Sequence, residues 1–170
     1  MKIDKPDNSF KNIIIWRHAE AHPALAQGLE QDLARTLTPK GKQQAKRMAS
    51  WLNQRLPKDL QVITSPAMRA FQTAQALKTE AIIIEALKPS ANLQQVLQQI
   101  TNLEVSTENL LLVGHQPWLW QLVAHLTGFN APEISIKKGA VWWLRLCENE
   151  AGIKHSRYNI VAVQSPKLLE

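Results

Sequence analysis

With a single cysteine, Cys147, the chain cannot form an internal disulfide or a cysteine-based metal site. Cys147 stands in a β-like run, where the expected role is that of a small buried hydrophobe. No apolar stretch approaches the roughly 20 residues a membrane helix needs. The polar start Met1-Lys2-Ile3-Asp4-Lys5 also lacks the apolar core of a signal peptide. A cytoplasmic protein with no membrane partner is the expectation. No repeat, linker or low-complexity tract interrupts the chain. An excess of one charge is present but dispersed: 20 Lys and Arg against 14 Asp and Glu leave +6. Basic runs do not exceed two residues, as at Lys137-Lys138. That dispersal argues against nucleic acid as a partner and reads as a solvated basic surface with mild attraction for anionic substrates.

What remains is an ordinary globular composition, 45% hydrophobic and 20% charged, on a length of 170 residues that suits one domain. Residues 1–11 are polar and read as an N-terminal arm, with a single domain over 12–165. A strand is expected at about 12–16, and residues 19–37 lack periodicity and read as a loop or irregular lid. Thr38-Pro39 is an N-cap followed by proline at the first helical position, and Pro57 stops that helix. Leu60–Thr64 is strand-like, and Ser65-Pro66 repeats the cap-plus-proline start. A third strand over 81–84 precedes a helix marked by Leu93, Val96, Leu97 and Ile100. A fourth strand over 110–113 precedes one marked by Leu119, Leu122, Val123 and Leu126, which Gly128 ends. Residues 141–147 and 153–163 flank Glu148-Asn149-Glu150-Ala151-Gly152 and read as a hairpin. The pattern predicts an α/β fold: a mostly parallel open sheet, helices on both faces, and a C-terminal β-hairpin.

In such sheets ligands bind beyond the carboxyl ends of the strands. His18, Ser65, Glu85 and His115 all fall at such ends, and Arg17 and Arg69 stand beside two of them. Two arginines and two histidines gathered there suit a phosphoryl group. His18 is the candidate nucleophile, since a neutral imidazole can attack phosphorus and form a phosphohistidine that water then hydrolyses. Either ring nitrogen could serve. Arg17 and Arg69 would hold the non-bridging oxygens through their planar forks, and His115 would add a hydrogen bond. Both arginines should favour the neutral form of His18. No metal or other cofactor is needed by this chemistry. His22, His125 and His155 share no metal-ligand spacing, and His125 reads as a hydrogen-bonded histidine near the core. Trp118 reads equally as a pocket wall or as core, and Trp142-Trp143 should point to opposite faces of one strand.

Three segments carry a family resemblance: Ile14-Ile15-Trp16-Arg17-His18-Ala19-Glu20, Ser65-Pro66-Ala67-Met68-Arg69-Ala70-Phe71-Gln72-Thr73-Ala74, and Val113-Gly114-His115-Gln116-Pro117. Over residues 12–165 the chain resembles the histidine phosphatase (phosphoglycerate mutase-like) superfamily. It looks like the short SixA-type phosphohistidine phosphatases in particular, to whose segment before the first long helix Asp32-Leu33-Ala34-Arg35-Thr36-Leu37-Thr38-Pro39-Lys40-Gly41 is similar. The resemblance implies that His18 is phosphorylated and that Arg17, Arg69 and His115 bind the phosphoryl group.

The general acid stays open between Glu85, at the end of the third strand, and Glu20, two residues after the nucleophile. An oxygen leaving group needs a placed acid, whereas transfer from one phosphohistidine to another exchanges similar P–N bonds. The chain also lacks long insertions that would cap the pocket. The expected partner is therefore a phosphohistidine-bearing protein, such as a phosphotransfer domain, acted on by a metal-independent phosphatase. A small phosphate ester is the second possible substrate, and a catalytically silent phosphate-binding module the third reading. Nothing in the sequence demands more than a monomer.

Overall fold

The computed structural model describes residues 10–130, 134–148 and 154–170. The six strands are β1 (Asn12–Arg17), β2 (Leu60–Thr64), β3 (Ala81–Ile83), β4 (Asn109–Gly114), β5 (Val141–Glu148) and β6 (Lys154–Gln164). They form one sheet in the order β3-β2-β4-β1-β5-β6. The first four in that order run parallel, and β5 and β6 are antiparallel additions on the far side of β1. This is the expected architecture, its hairpin strands included. The turn residues 149–152 of that hairpin and residues 1–9 of the expected N-terminal arm lie outside the described residues.

Among the described residues five α-helices lie between the strands: α1 (Leu29–Leu33) and α2 (Pro39–Asn53) after β1, then α3 (Met68–Gln75), α4 (Leu93–Thr101) and α5 (Trp118–Thr127). The apolar run of β1 is continuous because both of its faces are covered. Ile13 and Ile15 join the core beneath α4 and α5, with Leu110, Leu112, Val96, Leu122 and Val123. Ile14 and Trp16 point the other way, into the core beneath α2 and α3, with Leu111, Val113, Met48, Leu52 and Ala70. Each fully buried aliphatic side chain of these layers contributes about 2 kcal/mol by leaving water. Trp143 and Trp142 obey the same alternation, Trp143 buried in the second core and Trp142 half-buried against the first.

The local start signals are only partly used as the sequence suggests. Thr38 caps α2, its hydroxyl accepting from the Gly41 N–H at 2.9 Å. Asn92 and Gln95 form a reciprocal capping box at the start of α4. By contrast, α3 begins only at Met68, with Ala67 at its cap, and the Ser65 hydroxyl accepts from the Ala67 N–H while also meeting His115. The segment expected as an irregular lid contains α1, whose five residues bury nothing and so leave no periodic trace. Phe10, assigned by its sequence to a polar arm, is buried, and its carbonyl accepts from the Tyr158 hydroxyl at 2.6 Å. Cys147 is half-buried, and His125 is exposed on the last turn of α5 rather than near the core.

Candidate functional site

Three adjacent strands end together and are stitched by their backbones. The His18 N–H donates to the Gly114 carbonyl at 3.1 Å and the Ser65 N–H to the Val113 carbonyl at 3.1 Å. The ends of β1, β2 and β4 are thus fixed relative to one another, and with them His18, Ser65 and His115. Gly114 leaves room for Trp118, since a Cβ there would stand 2.1 Å from the Trp118 ring. Trp118 is fully buried and meets the His115 ring edge-on at 6.4 Å between centroids. It is both core and the support behind a site residue.

His18 and His115 lie with ring centroids 5.0 Å apart, and only 6% and 3% of their surfaces are exposed. Nδ1 of His18 is 2.7 Å from the Ala19 carbonyl oxygen, which can only accept; Nδ1 therefore carries the proton and Nε2 the lone pair. Burial is the main reason that the His18 pKa falls to about 3, with further lowering by Arg69, Arg17 and Lys138. The arginines expected to keep this ring neutral act in the right direction, but desolvation is the larger cause. His115 is pushed down to about 2, again mainly by burial and then by His18, Arg69 and Arg17. Its Nε2 lies 2.7 Å from the Ser65 hydroxyl, which itself accepts from the Ala67 N–H at 3.2 Å.

Each arginine is anchored while keeping donors in hand. Arg17 gives Nη1 to the Ile136 carbonyl at 2.6 Å. Arg69, 3% exposed on the first turn of α3, gives Nη1 to the Asp32 carbonyl at 2.5 Å and Nη2 to the Asp32 carboxylate at 3.0 Å. Asp32 also pairs with Arg35 at 2.9 Å, and these arginines hold its carboxyl below the ordinary range against an opposing cost of burial. Four buried side-chain nitrogens here have no hydrogen-bond partner among the described residues: Arg17 Nε, Arg69 Nε, His115 Nδ1 and, behind His115, Trp118 Nε1. Buried polar groups left unpaired cost about 1–3 kcal/mol each, so such a cluster is retained where a ligand completes it. Two arginines beside a neutral imidazole suit a tetrahedral oxyanion.

The four residues singled out by sequence are thus brought together, while of the two carboxylates one is engaged by other partners and the other is exposed. Glu20 accepts from the Thr38 hydroxyl at 2.8 Å and lies 3.5 Å from Lys40, which together hold its carboxyl below the usual range. A general acid needs the opposite shift. Glu85 is exposed at the start of a 3-10 turn, Glu85–Leu87, beyond β3 at the sheet edge. Sequence reasoning missed Asp32, Arg35 and the hydrogen-bonding role of Ser65. The Asp32-x-x-Arg35 spacing was the available signal for the first two.

The comparisons with known proteins agree with this geometry. The model of the histidine phosphatase superfamily (branch 1) matches residues 13–88. Phosphohistidine phosphatase SixA of Escherichia coli (strain K12) is 30% identical over 129 residues, covering 71% of this chain and 76% of its own. A SixA homolog of Haemophilus influenzae is 29% identical over 135 residues, covering 71% and 80%. The solved structure of the protein histidine phosphatase SixA complexed with tungstate superposes with a TM-score of 0.73 at 26% identity, over 94% of this chain and 99% of that one. The strand order, the paired histidines and these likenesses lead to one conclusion: the chain belongs to the histidine phosphatase superfamily, in its SixA-type group, and is by that membership a phosphatase.

Proposed function

We propose that this protein is a metal-independent phosphohistidine phosphatase that acts on a phosphohistidine-bearing protein through a phospho-His18 intermediate. The observation that carries the reading is the set of three unpartnered donors, Arg17 Nε, Arg69 Nε and His115 Nδ1, beside a histidine whose lone pair is on Nε2. Nε2 of His18 attacks phosphorus in line, and the P–N bond of the substrate breaks with its electron pair returning to the substrate imidazole. The leaving ring departs as a neutral imidazole when its other nitrogen is protonated, so no carboxylic acid is required. Water then attacks phosphorus, the P–Nε2 bond breaks, and inorganic phosphate leaves with His18 again neutral. The Nδ1–H bond to the Ala19 carbonyl holds the ring through both steps and stabilises the positive charge it carries while phosphorylated.

His115 acts as a neutral donor. Ser65 takes the Ala67 N–H and gives its own proton to His115 Nε2, which leaves Nδ1–H for a phosphoryl oxygen. Arg17 and Arg69 supply the remaining donors and most of the charge. The downward shift of Glu20 supports a reaction without a dedicated acid. A phosphomonoesterase is the second reading. It is favoured by Glu85, an exposed carboxylate with no ion pair among the described residues, in the turn that follows β3.

A turnover comparison on the full chain separates these. Phosphohistidine peptide should exceed a panel of phosphomonoesters in kcat/KM by at least about tenfold, with Glu85→Gln and Glu20→Gln each within about threefold of wild type on the peptide. Preference for an ester, lost in Glu85→Gln, would establish the second reading. Binding of phosphate or vanadate without turnover of either substrate would leave a silent phosphate-binding module.

A further inference from the structure

Beside the phosphoryl pocket lies a groove of about 680 Å³ whose lysines the reaction does not use. Arg17 lines it, together with Lys40, Lys137, Lys138, Lys167, Gln44 and Glu170. The two nearby carboxylates are already engaged. Glu170 pairs with Arg47 at 3.2 Å, and Glu20 lies 3.5 Å from Lys40. Lys137, Lys138 and Lys167 are exposed and make no ion pair among the described residues.

The groove is bolted to the catalytic residues. The Gly139 N–H reaches the carbonyls of both Arg17 and His18, at 3.1 and 3.0 Å, and the Arg17 side chain binds the Ile136 carbonyl. The loop that carries Lys137 and Lys138 is therefore held at a fixed place beside the nucleophile. On the other wall Gly139, with φ +76°, leaves room for Pro166, whose ring a Cβ at 139 would approach to 2.7 Å. That contact seats the C-terminal 3-10 turn, Pro166–Leu169, and with it Lys167. The lowering of the His18 pKa by Lys138 is a further sign of this proximity.

A phosphohistidine side chain carries no anion besides its phosphoryl group, which the pocket already meets with two arginines and a histidine. The lysine groove must then be read by something next to it. Resting on the phosphohistidine reading above, we infer that the groove recognises acidic side chains flanking the phosphohistidine of a protein substrate. Its volume is several times that of one phosphate, as a chain segment requires. The dispersed charge of the sequence is thus locally concentrated where a substrate would lie, and such complementarity acts mainly on specificity and association rate.

Two synthetic phosphohistidine peptides test this, one flanked by Asp and Glu and the other by Asn and Gln at the same positions. Wild-type full chain should prefer the acidic peptide by about tenfold in kcat/KM at low salt, and the preference should shrink at about 0.5 M salt. In a Lys137→Gln/Lys167→Gln variant the acidic-to-neutral ratio should fall towards one. Equal turnover of both peptides by wild type, or an unchanged ratio in the variant, overturns the inference and leaves the phosphohistidine reading standing. Turnover of neither peptide, with phosphomonoesters hydrolysed, overturns that reading and the inference with it. A preference for a bisphosphate over the matching monophosphate ester that the variant loses assigns the groove to a second phosphate instead, and so contradicts the inference.

Discussion

Asp32 holds Arg69 twice, with its backbone carbonyl on Nη1 at 2.5 Å and its carboxylate on Nη2 at 3.0 Å. The guanidinium plane is thereby fixed, and its Nε–H is left for a ligand. Asp32→Ala removes the carboxylate anchor, and an arginine displaced by about 1 Å costs on the order of a hundredfold. Steady-state kinetics should show kcat/KM lowered by about ten- to a hundredfold, with Asp32→Asn intermediate because its amide oxygen can still accept. Wild-type activity in Asp32→Ala would show that Arg69 needs no such anchor.

The two buried histidines also set the acid side of the stability curve. Both have folded pKa values depressed from 6.5, to about 3 for His18 and about 2 for His115. Below about pH 6.5 the unfolded chain binds protons that the folded chain refuses, so stability must fall as pH falls. Each histidine contributes a loss of up to about 1.4 kcal/mol per pH unit between its unfolded and folded pKa. Urea midpoints at pH 7, 5 and 4 should decline accordingly, and the decline should flatten in a His18→Gln/His115→Gln variant. The same shift removes His18 from titration near neutrality, so kcat/KM should show no acid limb near pH 6.5 owed to this residue.

Ser65→Ala leaves His115 Nε2 without its partner at 2.7 Å. A buried acceptor left unmet costs about 1–3 kcal/mol, and the ring is then free to change tautomer. A drop of about tenfold in kcat is expected, with a smaller change in KM. An equal rise in KM alone would assign Ser65 to ground-state binding.

Gly114→Ala should be a folding mutant with a functional signature. Its Cβ would meet buried Trp118 at 2.1 Å, and overpacking of that kind costs about 3 kcal/mol. For a domain of this size, that lowers Tm by roughly 6–12 °C. Because Trp118 backs His115, the folded fraction should also bind vanadate more weakly. Unchanged Tm would mean that the β4–α5 turn yields without strain.

Much of this could be read from the residues because strands buried on both faces leave unmistakable runs. Ile13-Ile14-Ile15-Trp16 and Leu110-Leu111-Leu112-Val113 feed two cores alternately, and the candidate site residues follow them closely. What the sequence hid depends on tertiary partners. α1 buries no side chain, so neither the helix nor the placement of Asp32 had a periodic signal. The Ile136 carbonyl that anchors Arg17 is a backbone atom 119 residues away. Ser65, read as a helix cap by its position before proline, meets the Ala67 N–H but also serves His115 from a neighbouring strand. His125 is exposed although it lies on an apolar helix, because helical spacing alone does not say which residues sit at the edge of the buried stripe.

The central claim is that phosphate passes through His18. Rapid quench of the full chain with a labelled phosphohistidine peptide, followed by fragmentation under alkaline conditions, tests it most directly. The account predicts a transient acid-labile, alkali-stable label on His18 that turns over at the steady-state rate and is absent from His18→Ala, which should not release phosphate. Label on another residue, or phosphate release by His18→Ala at the wild-type rate, would contradict it.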